Sequence, residues 1–463
     1  MKKATSSFSG QLGFVLASAA SAVGLGNIWR FPYFAAKDGG GIFIFIYLLI
    51  VATFGFTMLV TEISIGRKLH KSAVKAYSEL KKSWSFLGYI GCLVPLIIFP
   101  YYCVIGGWVT KYLLVFLAGD YLVSSQGNYF TDFITGQAEP IVMTLVFLAC
   151  TAFIVFRGVN KGIESSSRYL MPLLLVMVIL IAGYSLTLSY QDGNATRTGL
   201  DGLGYCLVPN LEGYTVQHLL SVIMDAVGQS FFSISVSMGI MITYGSYMRS
   251  DSHLTRSVDQ ILVFDTVVAI LAAVMIIPTV YVFMGTEGLS TAGPGLIFVA
   301  LPKVFLQMGE IGHYVGILFF ALVFFAALTS CVSILEAIVA NIMEVAKTKR
   351  STAVALQSVF GFLLAVVVCL GYNVFYFEAT LPNGSTGQIL DIFDFVSNTL
   401  LMPLAGLLTC ILIGWILKPQ VIIEEVTRNG ERFCRRGIYV LILKYIAPVF
   451  LAVLLINSTG ILN

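Results

Sequence analysis

Residues 15–32 read Val15-Leu-Ala-Ser-Ala-Ala-Ser-Ala-Val-Gly-Leu-Gly-Asn-Ile-Trp-Arg30-Phe-Pro32, an apolar helix that is interrupted in its own middle. Gly24 and Gly26 each lower helix propensity by roughly 1 kcal/mol against Ala, and Asn27 and Arg30 follow at once. In hydrocarbon, a freed N–H or C=O costs several kcal/mol unless protein or water satisfies it. A break here therefore needs a ligand or a partner. Unwound, oxygen-rich backbone at mid-membrane depth is a means of taking an ion or small zwitterion out of water.

The remainder of the chain supplies the membrane context. It has 463 residues, 58% hydrophobic and 11% charged, with a mean hydropathy of +0.90, which is too apolar for a soluble globule. Apolar runs of about 20 residues, long enough to cross a bilayer, recur from Gly10 to Ile461 with short polar joints. Their punctuation predicts an all-α polytopic protein of eleven spans, at 11–36, 41–66, 86–118, 141–157, 165–189, 216–248, 256–284, 312–345, 352–371, 389–416 and 437–458. The whole chain, 1–463, reads as one membrane domain. The first run lacks a small-residue cleavage site, so it is not read as a signal peptide. The eight Cys are dispersed, with no CxxC and no metal-ligand spacing, and read as small core residues.

Charge sets the orientation. With the N-terminus in the cytoplasm, 22 of the 27 Lys and Arg fall on the inner side, leaving Arg30, Lys37, Lys111, Arg197 and Lys303 outside or near it. The positive-inside rule then predicts a multi-pass protein of the cell's inner (plasma) membrane, N-terminus cytoplasmic and C-terminus outside. Between spans seven and eight, Thr291 to Phe305 is too short to cross and is bounded by Gly and Pro; it predicts a re-entrant or surface hairpin on the outer side. The loops 120–139 and 191–212 read as polar outer connections.

A second interrupted span mirrors the first. Residues 226–247 place Gln229, Ser233, Ser235, Ser237 and Gly239 inside an apolar helix. Two broken spans in corresponding positions of two five-span halves, about 11–189 and 216–416, point to an inverted repeat with a midplane site; span 437–458 is extra. Enzyme chemistry is not expected. The four His are scattered, and there is no HExxH, no facing Ser/His pair and no phosphate loop. The expected partners are a small molecule and the lipid bilayer, not nucleic acid.

With Gly39-Gly-Gly41, Arg157-Gly-Val-Asn-Lys-Gly-Ile-Glu164, Gly228-Gln-Ser-Phe-Phe-Ser-Ile-Ser235, Ile242-Thr-Tyr-Gly-Ser-Tyr247 and Phe325-Ala-Ala-Leu-Thr-Ser330 added to the opening stretch, the chain resembles bacterial neurotransmitter:sodium symporters of the leucine-transporter (LeuT) fold along nearly its whole length. The resemblance implies two Na+ ions. One would be held by the carbonyls of Ala20, Val23 and Ala326 and the hydroxyls of Thr329 and Ser330. Taken alone, that Thr-Ser pair reads first as helix hydroxyls bonding back to carbonyls one turn earlier; the surrounding Phe324-Phe-Ala-Ala-Leu-Thr-Ser330 stretch reverses that reading. The other would be held by Ala22 C=O, Asn27 Oδ1, Ser233 and Asp265, completed by a substrate carboxylate. Asp265 is the sole acid in its apolar run, and an intramembrane carboxylate is functional by default. It stands where chloride-dependent relatives have a neutral amide and a chloride near residues matching Tyr47, Gln229 and Ser233, so chloride independence is expected.

Gly24 replaces the Asp of amine-transporting relatives, which implies a substrate bringing its own carboxylate, an α-amino acid. The implied substrate pocket comprises Ala22, Val23, Gly26, Ile98, Tyr102, Phe232, Ser233, Ser235, Ser237, Met238, Ser330 and Ile334, mostly apolar and suited to a hydrophobic or aromatic side chain. The implied gates are an outer ion pair of Arg30 with Asp394, a lid of Tyr102 and Phe232 over the substrate, and on the inner side Lys3 with Glu344, with Phe8 where relatives have Trp. Gly162 and Pro172 resemble a family motif linked to unwinding of the fifth span. Glu336 is expected to pack against Tyr247 or backbone. Sodium-driven import by alternating access is the implied activity. A proton-coupled or sodium-independent exchanger, or a receptor-like member that does not transport, is the alternative.

Overall fold

The computed structural model describes residues 7–192, 195–209, 215–289 and 293–460. Nine helices among them are long and apolar enough to cross a membrane: Gly41–Leu69, Lys82–Ala118, Glu139–Phe156, Val159–Ser185, Leu254–Gly288, Glu310–Ala346, Arg350–Leu370, Ile389–Ile416 and Arg436–Ser458. They are spans two to five and seven to eleven. The first span is a pair, Gln11–Ala22 and Gly26–Lys37, bent by 55° at the break. The sixth is Val216–Ser233 and Ile240–Tyr247, separated by six non-helical residues.

Both breaks are enclosed by protein. Gly13 to Ala22 are all buried, so the inner half of the first span meets side chains and not lipid; interrupted backbone at this depth is tolerated only in such a setting. Close helix approach holds the second span to the inner half of the sixth. A Cβ on Gly66 would stand 2.0 Å from the Ile242 carbonyl, and one on Gly245 2.5 Å from that of Ile63. Small residues let membrane helices touch along their backbones in this way. The third span lies along the eighth, with Cys103 and Cys331 in contact at 3.7 Å.

The outer connections are more ordered than their polarity suggests. Residues 189–192 and 195–198 form an antiparallel hairpin, with Ser189 opposite Thr198. The helix Gly199–Leu207 follows, its start closed by reciprocal bonds: Thr198 N–H to Asp201 Oδ2 at 3.0 Å, and Asp201 N–H to Thr198 Oγ1 at 3.2 Å. That helix covers the glycine turn after the first span. Gly40, at φ +60, faces the Tyr205 carbonyl so closely that a Cβ would come within 2.3 Å of it. In the expected re-entrant stretch, Thr291 and Ala292 lie outside the described residues. From Leu296 to Gln307 it is a short apolar helix seated against the third span, where Tyr112 OH donates to the Phe298 carbonyl at 2.8 Å.

Candidate ion and substrate site

In a continuing helix the Gly24 N–H would bond the Ala20 carbonyl. It is given instead to Asn27 Oδ1 at 3.0 Å, while Val23 turns extended with ψ 103 and the Asn27 N–H turns back to the Gly24 carbonyl at 3.2 Å. The carbonyls of Ala20 and Val23 thereby lose their helical partners. Ser330 Oγ crosses from the eighth span to within 3.3 Å of the Val23 carbonyl and 3.2 Å of that of Ser21. Thr329 Oγ1 bonds back along its own helix to Phe325 and Ala326, at 3.0 and 3.1 Å. The local-hydroxyl reading thus describes Thr329, whereas Ser330 reaches across. The result is an oxygen cluster of carbonyls and hydroxyls, the donor set a hard cation takes.

The expected second ion position gathers around Asp265, fully buried in the seventh span. Its Oδ1 accepts from Ser233 Oγ at 2.8 Å and Asn27 Nδ2 at 2.7 Å, and its Oδ2 from Tyr47 OH at 3.4 Å. Asn27 is therefore turned with its nitrogen toward the carboxylate and its oxygen toward Gly24. A carboxylate recruits the amide's donor end, and an ion between the two groups calls for the oxygen end. Gln229 Nε2 donates to the Gly26 carbonyl at 3.2 Å.

Between the two breaks lies a cavity of about 40 Å³. Of the expected pocket residues it brings together Ala22, Gly26, Ile98, Tyr102, Phe232, Ser233, Ser235, Met238, Ser330 and Ile334, and it adds Ser21, Gly24, Leu25 and Asn27. Gly24 is there for close approach: a Cβ on it would come within 2.6 Å of Ser330 Oγ and 3.2 Å of Tyr102 OH.

Two expected lining residues are placed elsewhere. Val23 is wholly buried beside the cavity and presents its carbonyl to Ser330. Ser237 faces away. Its N–H donates to Glu62 Oε1 at 2.6 Å, and its hydroxyl points at the tenth span, 3.0 Å from where a Cβ of Gly406 would stand. The reason is the shape of the break, where Ser235, Ser237 and Gly239 all take positive φ, at +55, +63 and +67. This alternation turns successive side chains to opposite sides. Glu62 was missed in the sequence although the signal that marked Asp265, a lone acid in an apolar run, marks it equally.

Above the cavity is a vestibule of about 410 Å³, and Tyr102 and Phe232 line both spaces. Arg30 and Asp394 both line it, yet they form no salt bridge. Asp394 accepts from Tyr101 OH at 3.1 Å and Asn398 Nδ2 at 2.6 Å, while the Arg30 guanidinium lies over the Phe232 ring at 5.2 Å. Gly293 and Pro294 also line this space, so the interhelical stretch does dip into it.

The opposite end is shut by packing. Phe8 is 1% exposed among Phe14, Tyr244 and Tyr247, and its N–H donates to the Tyr247 carbonyl at 3.0 Å. Glu336 accepts from Tyr247 OH at 2.7 Å, as expected, and is also forked by Arg350 at 2.6 and 2.8 Å. In the sequence Arg350 is only one of the basic residues on the inner side, with nothing local to mark Glu336 as its partner. Glu344 holds the start of the helix Ala73–Leu80, its Oε2 accepting from Ser72 N–H at 3.1 Å and Oγ at 2.7 Å. Its proposed partner Lys3 lies outside the described residues. The fifth span starts in wide turns over Val159–Glu164, which include Gly162, and then runs as an α-helix through Pro172.

Comparison with known proteins gives a consistent result. The sequence model of the sodium:neurotransmitter symporter family matches residues 5–132 and 132–462. The uncharacterized sodium-dependent transporter YhdH of Bacillus subtilis is 34% identical over 460 residues, covering 98% of this chain and 97% of that protein. An uncharacterized sodium-dependent transporter of Haemophilus influenzae is 30% identical, covering 98% of each. The crystal structure of MhsT in complex with L-phenylalanine superposes with a TM-score of 0.85 at 34% identity, over 98% of this chain and 99% of that one.

Proposed function

The chain belongs to the sodium:neurotransmitter symporter family and is a sodium-dependent multi-pass membrane symporter; on that premise we propose that it imports a hydrophobic or aromatic α-amino acid with two Na+ ions, independently of chloride, by alternating access. The observation that carries this reading is the cavity between the two breaks, where freed carbonyls and hydroxyls stand at one end of an apolar pocket and no acid replaces Gly24. A substrate ammonium meets the Ala22 and Phe232 carbonyls and the Ser235 hydroxyl. Its carboxylate meets the Gly26 N–H, Tyr102 OH and the Na+ beside Asp265. The substrate is then itself a ligand of that Na+, so binding of ion and amino acid is coupled directly. The second Na+ sits between Ala20, Val23, Ala326, Thr329 and Ser330, joining the first span to the eighth. Ile98, Met238 and Ile334 receive the side chain, and the likeness to MhsT, seen with L-phenylalanine, supports an aromatic or large apolar one.

Chloride independence follows from charge. The Asp265 carboxylate already draws the Tyr47 and Ser233 hydroxyls, donors that would otherwise be offered to an anion. Spans one, two, six and seven rock against three, four, eight and nine. The distribution of basic residues supports a cytoplasmic N-terminus, so inward Na+ movement gains about 2.3 kcal/mol per charge per 100 mV from an inside-negative potential. Uptake into proteoliposomes tests the reading. A sodium gradient should drive accumulation of phenylalanine or leucine, unchanged when gluconate replaces chloride. Uptake that collapses without chloride, or that proceeds without sodium, would overturn it.

A further inference from the structure

At the end of the molecule that carries most of its Lys and Arg, a cleft of about 360 Å³ opens where the fourth span passes into the fifth, lined by Ser9, Arg157, Asn160, Lys161, Glu164 and Arg168 among others. Its charge is unbalanced. Glu164 is already engaged: it accepts from Ser9 N–H at 2.9 Å and Arg168 Nη2 at 3.0 Å, and it also bonds the Ser9 hydroxyl. Arg157 and Lys161 are exposed and take part in no ion pair among the described residues; Arg157 only overlies the Phe153 ring at 5.7 Å. Two unpaired cations beside a third that is half exposed form a receptor for a phosphate.

The walls indicate where that phosphate comes from. Tyr169, Leu173, Val176 and Leu180 are 74%, 45%, 53% and 58% exposed, and their spacing puts them on one face of the fifth span. The stripe begins at the cleft, since Tyr169 also lines it. On the fourth span, Phe153 and Phe156 are 61% and 56% exposed, and the Phe153 ring lies beneath the cleft's Arg157. A soluble phosphate would use only the cations, whereas a phospholipid uses cations and stripe together. We propose that the cleft holds the phosphate of an anionic phospholipid headgroup, with one acyl chain along the Tyr169–Leu180 face. Basic pockets between spans on the cytoplasmic side are suited to such headgroups. Because the cleft includes Ser9, next to the buried Phe8, the headgroup touches the closure of the inner end.

The test is binding of a fluorescent phosphatidylglycerol to the detergent-solubilised full chain. Saturable binding is expected, unaffected by excess phosphatidylcholine or by millimolar inorganic phosphate. It should weaken about thirtyfold in the double variant Arg157→Gln, Lys161→Gln, from about 1 kcal/mol per basic residue. The charge-preserving pair Arg157→Lys, Lys161→Arg should retain it, which separates loss of charge from loss of fold. Equal competition by phosphatidylcholine, undiminished binding by the Gln variant, or full displacement by inorganic phosphate would each overturn the proposal.

Discussion

Ser237 and Met238 are neighbours in the chain and face opposite ways, which makes them the sharpest test of the pocket at single-residue scale. Met238 lines the cavity, while Ser237 turns to Glu62 and Gly406. Ser237→Ala should therefore leave the order of competing amino acids unchanged. Met238→Ala should shift affinity for the largest ones by about 1–3 kcal/mol, the size of a hydrophobic-pocket difference. Competition binding with a panel of amino acids checks both, and a reordered panel in Ser237→Ala would refute the assignment. The sequence showed that this segment was broken, since hydroxyls cluster where a span should be most apolar. It could not show which side chain faces in, because that depends on three consecutive alternations of φ. Ser330 was legible only through its surrounding motif: its reach to Val23 spans 307 positions.

At the scale of elements, the spans were legible because their signal is length and apolarity, and each predicted span overlaps an observed one. What escaped is pairing at their ends. Arg67 reads as a loop charge after the second span, yet it is 1% exposed. Its Nε donates to Glu425 Oε1 at 2.7 Å, its Nη2 to the Glu425 carbonyl and its Nη1 to the Ser252 carbonyl at 3.0 Å. It thus ties together the end of the second span, the joint between the sixth and seventh, and the helix Gln420–Thr427. No local pattern announces a partner 358 positions away. Removing one member of a buried pair leaves the other charge uncompensated, at a cost of about 3–5 kcal/mol. Glu425→Ala should accordingly lower the unfolding midpoint in detergent by that equivalent, and Glu425→Gln by less, since a hydrogen bond to Arg67 survives.

Over the whole molecule, stability should respond to pH through the outer turn. Asp38, 1% exposed, stands beside Lys37 and Asp225, with Lys37 Nζ 3.6 Å from Asp38 Oδ1 and 2.8 Å from Asp225 Oδ2. Burial, reinforced by the charge of Asp225 and opposed by that of Lys37, pushes the Asp38 carboxyl up from 3.8 to about 7. The folded state then holds a proton that the unfolded chain has released. The contribution is complete below the ordinary carboxylate range and is lost as pH rises through about 7. The thermal midpoint should fall between pH 5 and pH 8 and be flatter in Asp38→Asn; scanning fluorimetry of the purified protein reads both. The two closures of the central cavity are also unequal in kind. Toward the vestibule stand Leu25, Tyr102 and Phe232, which line both spaces, with Arg30 over the Phe232 ring; toward the other end Phe8 is packed against Tyr247, with Glu336 and Arg350 bonded behind. Turning one or two side chains is fast, and dismantling a packed, hydrogen-bonded assembly is slow. A substrate held in the cavity is therefore expected to return to the vestibule many times for each passage across, so exchange of bound label with the outside should run faster than net uptake.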